Sequence, residues 1–284
     1  MGTMRSIGAA VTAGALAGCT PLAAQQPEGG EQSVTGPAGA IYVDDGGGKD
    51  GLPVLFLHAF AGDSSQWADQ LSHLRHHRRA IAMDLRGHGK SAAPKDGDYR
   101  VEAMVKDVEA VVSKLELSRF VLVGHSLGGA VAIHYAGAHP DKVAGLVLVG
   151  APGHMPAEQS KPILAAIESN YDATMKGYWE KLVQGAQPRV RTQILDRMGS
   201  VEREPAIAIM KSLFADDPLP ALDRYKGPKL IIYTTSGDTP YDLQNARPAI
   251  EHVRIAGTSH WPQLDQPGLV NQLIDDFLAK LTPS

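Results

Sequence analysis

Phe120-Val121-Leu122-Val123-Gly124-His125-Ser126-Leu127-Gly128-Gly129-Ala130-Val131 is the stretch that decides the fold of this chain. Its first part, opening at Arg119, is apolar on both faces and reads as a buried strand. Its second part, Gly129 to Ala136, reads as a helix. Between them Ser126 has a glycine one residue removed on either side. That arrangement suits a very sharp strand-to-helix turn, where side chains would collide as the backbone doubles back. A hydroxyl is a poor nucleophile until something presents it and takes its proton. Ser126 is therefore the candidate nucleophile.

Outward from this turn the chain repeats one pattern. Pro53 to His58, Arg79 to Asp84, Val121 to Val123, Leu146 to Val149 and Lys229 to Tyr233 are continuous apolar runs, with a weaker one from His252. Runs apolar on both faces predict strands buried on both faces, hence a largely parallel sheet between helices. Helical patterns alternate with them at Val101 to Leu115, Gly128 to Ala138 and Pro267 to Leu281. In the first, Met104, Val108, Val111, Val112 and Leu115 recur at spacings of three and four. Ala40 to Val43 reads as an edge strand closed by the glycines from Gly46. Between Gly153 and Lys226 no strand-like run occurs, only amphipathic stretches. The expectation is an α/β core over 40–152 and 227–284, with a helical cap over 153–226 inserted after the sixth strand.

The chemistry needs a base, an acid to orient it, and donors for an oxyanion. His260, in Gly257-Thr258-Ser259-His260-Trp261-Pro262, follows the last strand and precedes the final helix, so it is the candidate base. His88, His125, His134 and His139 have blander settings, and a packing role suits His125. For the acid, Asp238 follows the Leu230 to Tyr233 strand, and the chain order nucleophile, acid, base favours it; Asp242 is its competitor. The Leu127 N–H, just after the serine, is the first oxyanion donor. The Phe60 N–H, on the loop after the Pro53 to Leu57 strand, is the second. Trp67, Tyr171, Met175, Tyr178, Trp179 and Trp261 are candidate pocket residues, and the apolar pocket they suggest takes a medium-sized ester or lactone.

On these residues the chain resembles the α/β-hydrolase superfamily, and within it the small capped esterases, perhydrolases and lactonases. The likeness runs from about Ile41 to Leu281. It rests on His58-Ala59-Phe60-Ala61-Gly62, Asp84-Leu85-Arg86-Gly87-His88-Gly89-Lys90-Ser91, Gly124 to Gly129 and Gly257 to His260. The Asp84 segment is architectural in such proteins. Two departures stand out: Ala59 replaces the usual glycine of the oxyanion loop, and Asp238 matches the family's acid pattern only with a shift. The resemblance implies acyl transfer through an acyl-enzyme on Ser126, with no cofactor and no metal. A serine in that place argues against epoxide hydrolases and haloalkane dehalogenases, which carry aspartate there. The alternatives are perhydrolysis or non-haem haloperoxidase-type activity, carbon–carbon bond hydrolysis, and a non-catalytic ligand-binding protein on the same fold.

A formal net charge of -4 offers no basic stripe to displace counterions, so nucleic acid is not an expected partner. No apolar run approaches the roughly 20 residues that span a bilayer. Cys19 is the single cysteine, which excludes an intramolecular disulfide. Leu16-Ala17-Gly18-Cys19 follows Arg5 and a weakly apolar stretch, as a secretory signal would. It resembles a bacterial lipobox, in which the cysteine is lipidated. The expectation is a signal over 1–18, a flexible tether over 19–39 and a lipid anchor in the cell envelope. An ordinary signal cut near Ala23-Ala24 is the alternative.

Overall fold

Strands with no polar face pair in the interior of a sheet, and those here do. The computed structural model describes residues 29–281. The expected signal, Cys19 and the start of the tether lie outside the described residues. The strands are β1 (Gly29–Gly36), β2 (Gly39–Gly47), β3 (Val54–Leu57), β4 (Arg79–Met83), β5 (Phe120–His125), β6 (Val143–Val149), β7 (Lys229–Thr234) and β8 (Glu251–Ile255). They form one sheet in the order β1-β2-β4-β3-β5-β6-β7-β8. From β4 to β8 all neighbours are parallel, while β1, β2 and β4 pair antiparallel.

Helices cover the two faces. The first three are α1 (Ala68–Arg75), α2 (Val101–Lys114) and α3 (Leu127–Ala138). Between β6 and β7 come α4 (Ala157–Ser169), α5 (Tyr171–Leu182), α6 (Pro188–Leu195), α7 (Arg203–Ala215) and α8 (Leu219–Arg224). The last are α9 (Leu243–Ala246), α10 (Pro262–Asp265) and α11 (Pro267–Ala279). One apolar layer joins α1 and α11 to the sheet through Leu71, Leu74, Ile274 and Phe277. The other joins α2 and α3 through Met104, Val108, Val131 and Tyr135, and continues into the segment between β6 and β7. Among the described residues no helix is long and apolar enough to cross a membrane.

Two expectations about the start of the chain are corrected. Residues 29–36, read as part of a tether, form β1, and Val34 pairs with Ile41, both almost wholly buried. The two-residue turn at Pro37 and Ala38 sits between paired glycines, with Gly39 at φ +128. Turn geometry makes this stretch a hairpin despite its Gly- and Gln-rich composition. The strand at Ala40 is consequently not the edge. It runs on through Gly46 and Gly47 and is covered by β1 on one side and β4 on the other.

The chain proceeds from β3 outward to β4 on one side, and from β5 to β6, β7 and β8 on the other. The order therefore reverses between β3 and β5, and a crevice opens beyond their carboxyl ends, where ligands of open α/β sheets bind. The loops that carry Phe60 and Ser126 leave these two adjacent strands.

Candidate active site

The turn at Ser126 is as sharp as the glycines imply. Ser126 has φ 51 and ψ −114 at the start of α3, a conformation costing roughly 1–3 kcal/mol for a residue with a side chain. A Cβ on Gly124 would lie 2.3 Å from the Gly128 carbonyl oxygen, and one on Gly128 would lie 2.5 Å from that of His58. Both glycines are therefore required by close backbone approach. Ser126 N–H donates to Val149 O at 3.0 Å, tying the turn to the end of β6.

The two expected oxyanion donors are held by separate devices. Leu127 is the first residue of α3, where the N–H groups have no helical acceptor and the helix dipole favours negative charge. Phe60 shares its peptide plane with the Ala59 carbonyl. That oxygen accepts from Gly62 N–H at 3.0 Å and lies 2.7 Å from His58 Nδ1. The Leu85 N–H donates to His58 Nε2 at 2.9 Å, so the ring proton is on Nδ1. C=O and N–H of a trans peptide point in opposite directions, so this clamp on Ala59 O aims the Phe60 N–H away from His58. Burial lowers His58 to about 4, which keeps it neutral in this role. Asp84 is architectural, as expected: its carboxylate accepts from the N–H groups of Ser64 and Lys90.

His260 shares with Ser126 the walls of two cavities. Its ring lies over the end of β6, where a Cβ on Gly150 would be 3.0 Å from Cε1 and 3.3 Å from Nδ1. Its Nε2 is buried without a hydrogen-bond partner, and burial pushes the imidazole down to about 4. The loop is gripped along its backbone. His260 N–H donates to Leu182 O at 2.9 Å, and His125 Nε2 donates to His260 O at 2.8 Å. Gln263 Nε2 donates in turn to His125 Nδ1. The Asp265 carboxylate accepts from Ser259 N–H and Oγ, and from Gln187 N–H in the segment between β6 and β7. Sequence reading missed Gln263 and Asp265; their closeness to His260 in the chain is the one signal that marks them.

No carboxylate contacts the His260 ring among the described residues. Asp238, the expected acid, is exposed and accepts from Asn245 Nδ2 at 3.3 Å. Asp242 lines the larger cavity with Ser126 and His260, but its carboxylate accepts from Thr239 N–H and Oγ1, both at 2.6 Å. The structure thus brings His260 and Ser126, the candidate base and nucleophile, to the same cavities and leaves Asp238 outside them.

The larger cavity has a volume of about 240 Å³ and is walled mainly by apolar groups from α4, α5, α7 and β7, including Ile163, Leu182, Leu213, Phe214 and Ile231. Of the expected pocket residues only Tyr178 reaches it. Trp179 and Trp261 wall the smaller one, about 10 Å³, with Phe60 and Tyr178. Phe60, Trp179 and Trp261 form a column, with ring centroids 5.9 Å apart at each step. Trp67 lies instead beneath the site, fully buried against Phe56 and edge-on to His125. Tyr171 and Met175 wall an outer groove on the far side of Trp179. Helical spacing put these residues on one helix, but α5 turns them away from Ser126.

The comparisons agree with this architecture. The family described as alpha/beta hydrolase fold matches residues 53–199, more than half of the chain. The chain is 38% identical over 143 residues to a non-heme chloroperoxidase of Streptomyces lividans, covering 46% of this chain and 51% of that one. It is 26% identical over 271 residues to epoxide hydrolase 2 of Caenorhabditis elegans, covering 84% and 76%. Across the first three curated relatives, the chain spans from 36% to 76% of their length. Among solved structures, an esterase from Thermogutta terrifontis superposes with a TM-score of 0.74 at 25% identity, over 89% of this chain and 100% of that one. A strained serine at the switch point, an eight-stranded sheet of this order and the matching family profile lead to one assignment: the chain belongs to the alpha/beta hydrolase fold family.

Proposed function

We propose that this protein is a serine hydrolase of carboxylic esters or lactones with a small to medium apolar acyl part. The observation that carries the reading is Ser126, presented on a strained turn into a cavity it shares with His260, beside the Phe60 and Leu127 N–H groups, which have no acceptor among the described residues. Ser126 Oγ attacks the carbonyl carbon and His260 Nε2 takes its proton. The oxyanion forms against the Phe60 and Leu127 N–H groups. His260 then protonates the departing alcohol, and water repeats the sequence to free the acid. By comparison with an apolar cavity of ~150 Å³ that binds benzene, the larger cavity has room for about nine or ten heavy atoms.

A fluorophosphonate probe and a panel of p-nitrophenyl esters and lactones test this reading. Wild type should be labelled and turn over butyrate to octanoate esters, and Ser126→Ala should do neither. A folded wild type that neither labels nor hydrolyses anything in the panel would favour a ligand-binding role.

The chloroperoxidase relative supports a second reading, in which peroxide intercepts the acyl-enzyme to form a peracid. The small cavity beside Ser126 holds about one water-sized molecule, which suits water or peroxide equally. Peracid formation measured against hydrolysis, at equal acyl donor, separates the two.

A further inference from the structure

The oxyanion loop is gripped on its outer side by the segment joining α6 to α7. Arg197 forms an ion pair with Asp63, and Ser200 Oγ donates to Ala61 O at 3.2 Å. Trp179 of α5 stacks on Phe60. These contacts fall on a turn that does not favour its own shape. Ala61 has φ 54, a left-handed conformation that side chains other than glycine disfavour. Phe60 is therefore flanked by a strained residue, and the external contacts bracket that strain at Ala61 and Asp63. Asp63 is also tied inward, because its other oxygen accepts from Ser65 N–H at 3.0 Å at the start of the short helix after the loop. Arg197 is close enough for its charge to act on His58, on the loop's inner side.

We propose that Arg197 is a positioning residue for the oxyanion hole: through Asp63 it holds the Phe60 N–H where the developing charge of the tetrahedral intermediate needs it. The helical segment over the site then has two roles. It walls the acyl cavity, and it sets the strength of transition-state stabilisation. The inference rests on the ester-hydrolase reading.

Four variants test it, Arg197→Gln, Arg197→Lys, Asp63→Asn and the Arg197→Gln/Asp63→Asn pair, each assayed with p-nitrophenyl butyrate and a trifluoromethyl ketone inhibitor. Removing an oxyanion donor outright costs about 10²–10³ in kcat, so a loosened donor should cost roughly three- to thirtyfold. Arg197→Gln and Asp63→Asn should each lower kcat by that amount with KM within twofold. Inhibitor affinity should fall by the same factor, the double variant should be no worse than either single one, and Arg197→Lys should recover most of the loss. Asp63→Asn keeps the Ser65 contact, so it remains informative should Arg197→Gln not fold. An unchanged kcat, or a change confined to KM, overturns the inference while leaving the esterase reading intact. A wild type inert to both ester and inhibitor removes the esterase reading and the inference with it.

Discussion

At the scale of single residues, the unusual feature is the state of His260. Burial lowers its pKa to about 4, and among the described residues no carboxylate holds the ring. A general base works only when neutral, and a lowered pKa keeps it neutral further into acid. The acid limb of kcat/KM should accordingly fall below about pH 5, well under the ordinary histidine value near 6.5. A pH profile on p-nitrophenyl butyrate measures this. A limb centred at or above 6.5 would mean that a carboxylate reaches the imidazole in solution. Asp242 is better placed than Asp238 to do so, because it already lines the cavity. Loss of an orienting acid costs up to roughly 10⁴-fold. With the acid limb at or above 6.5, Asp242→Asn should lower kcat far more than Asp238→Asn; with it below about 5, both substitutions should have small effects. Small, equal effects from both would assign catalysis to Ser126 and His260 alone. That Ser126 and His260 meet at one cavity was legible in the sequence, because each is announced by its immediate neighbours. The placing of Asp238 was not, since loop closure rather than spacing decides whether an aspartate reaches the ring.

At the scale of elements, α5 is the keystone of the site. Its Trp179 is stacked between Phe60 of the oxyanion loop and Trp261 of the histidine loop, and Leu182 O at its end receives His260 N–H. Trp179→Ala should destabilise the fold by about 3–5 kcal/mol. The same change should join the small cavity to the outer groove, since Trp179 walls both. Thermal melts and an ester series of increasing bulk check the two effects. The variant should melt lower yet accept larger esters relative to wild type, and an unaltered size preference would contradict the wall assignment. Sequence pattern showed that α5 is helical and amphipathic. It did not show that Tyr171 and Met175 face the outer groove while Ile163, Leu213 and Phe214 from α4 and α7 line the cavity. Periodicity assigns a face to a helix but does not say which neighbour that face meets.

At the scale of the whole molecule, several histidines lock the loops together in their neutral form. His58 is lowered to about 4, His88 to about 3 and His125 well below the ordinary value, each chiefly by burial. In the unfolded chain they take up protons near pH 6.5. Below that pH the unfolded state binds more protons than the folded one, so stability is complete above about 6.5 and declines as the pH falls toward 4. Calorimetric melting temperatures should drop steadily between pH 6.5 and 4.5, and a flat profile over that range would contradict the buried neutral assignment. The sequence by itself determined the strand–turn–helix around Ser126, the parallel sheet and the helical insertion, because steric collision at Gly124 and Gly128 and apolar periodicity act between near neighbours in the chain. Only the tertiary structure decided that residues 29–36 form the edge strand of the sheet, which groups wall the cavity and that, among the described residues, no aspartate meets His260. Those outcomes depend on surfaces far apart in sequence, brought together by the burial of apolar area, which has no direction of its own.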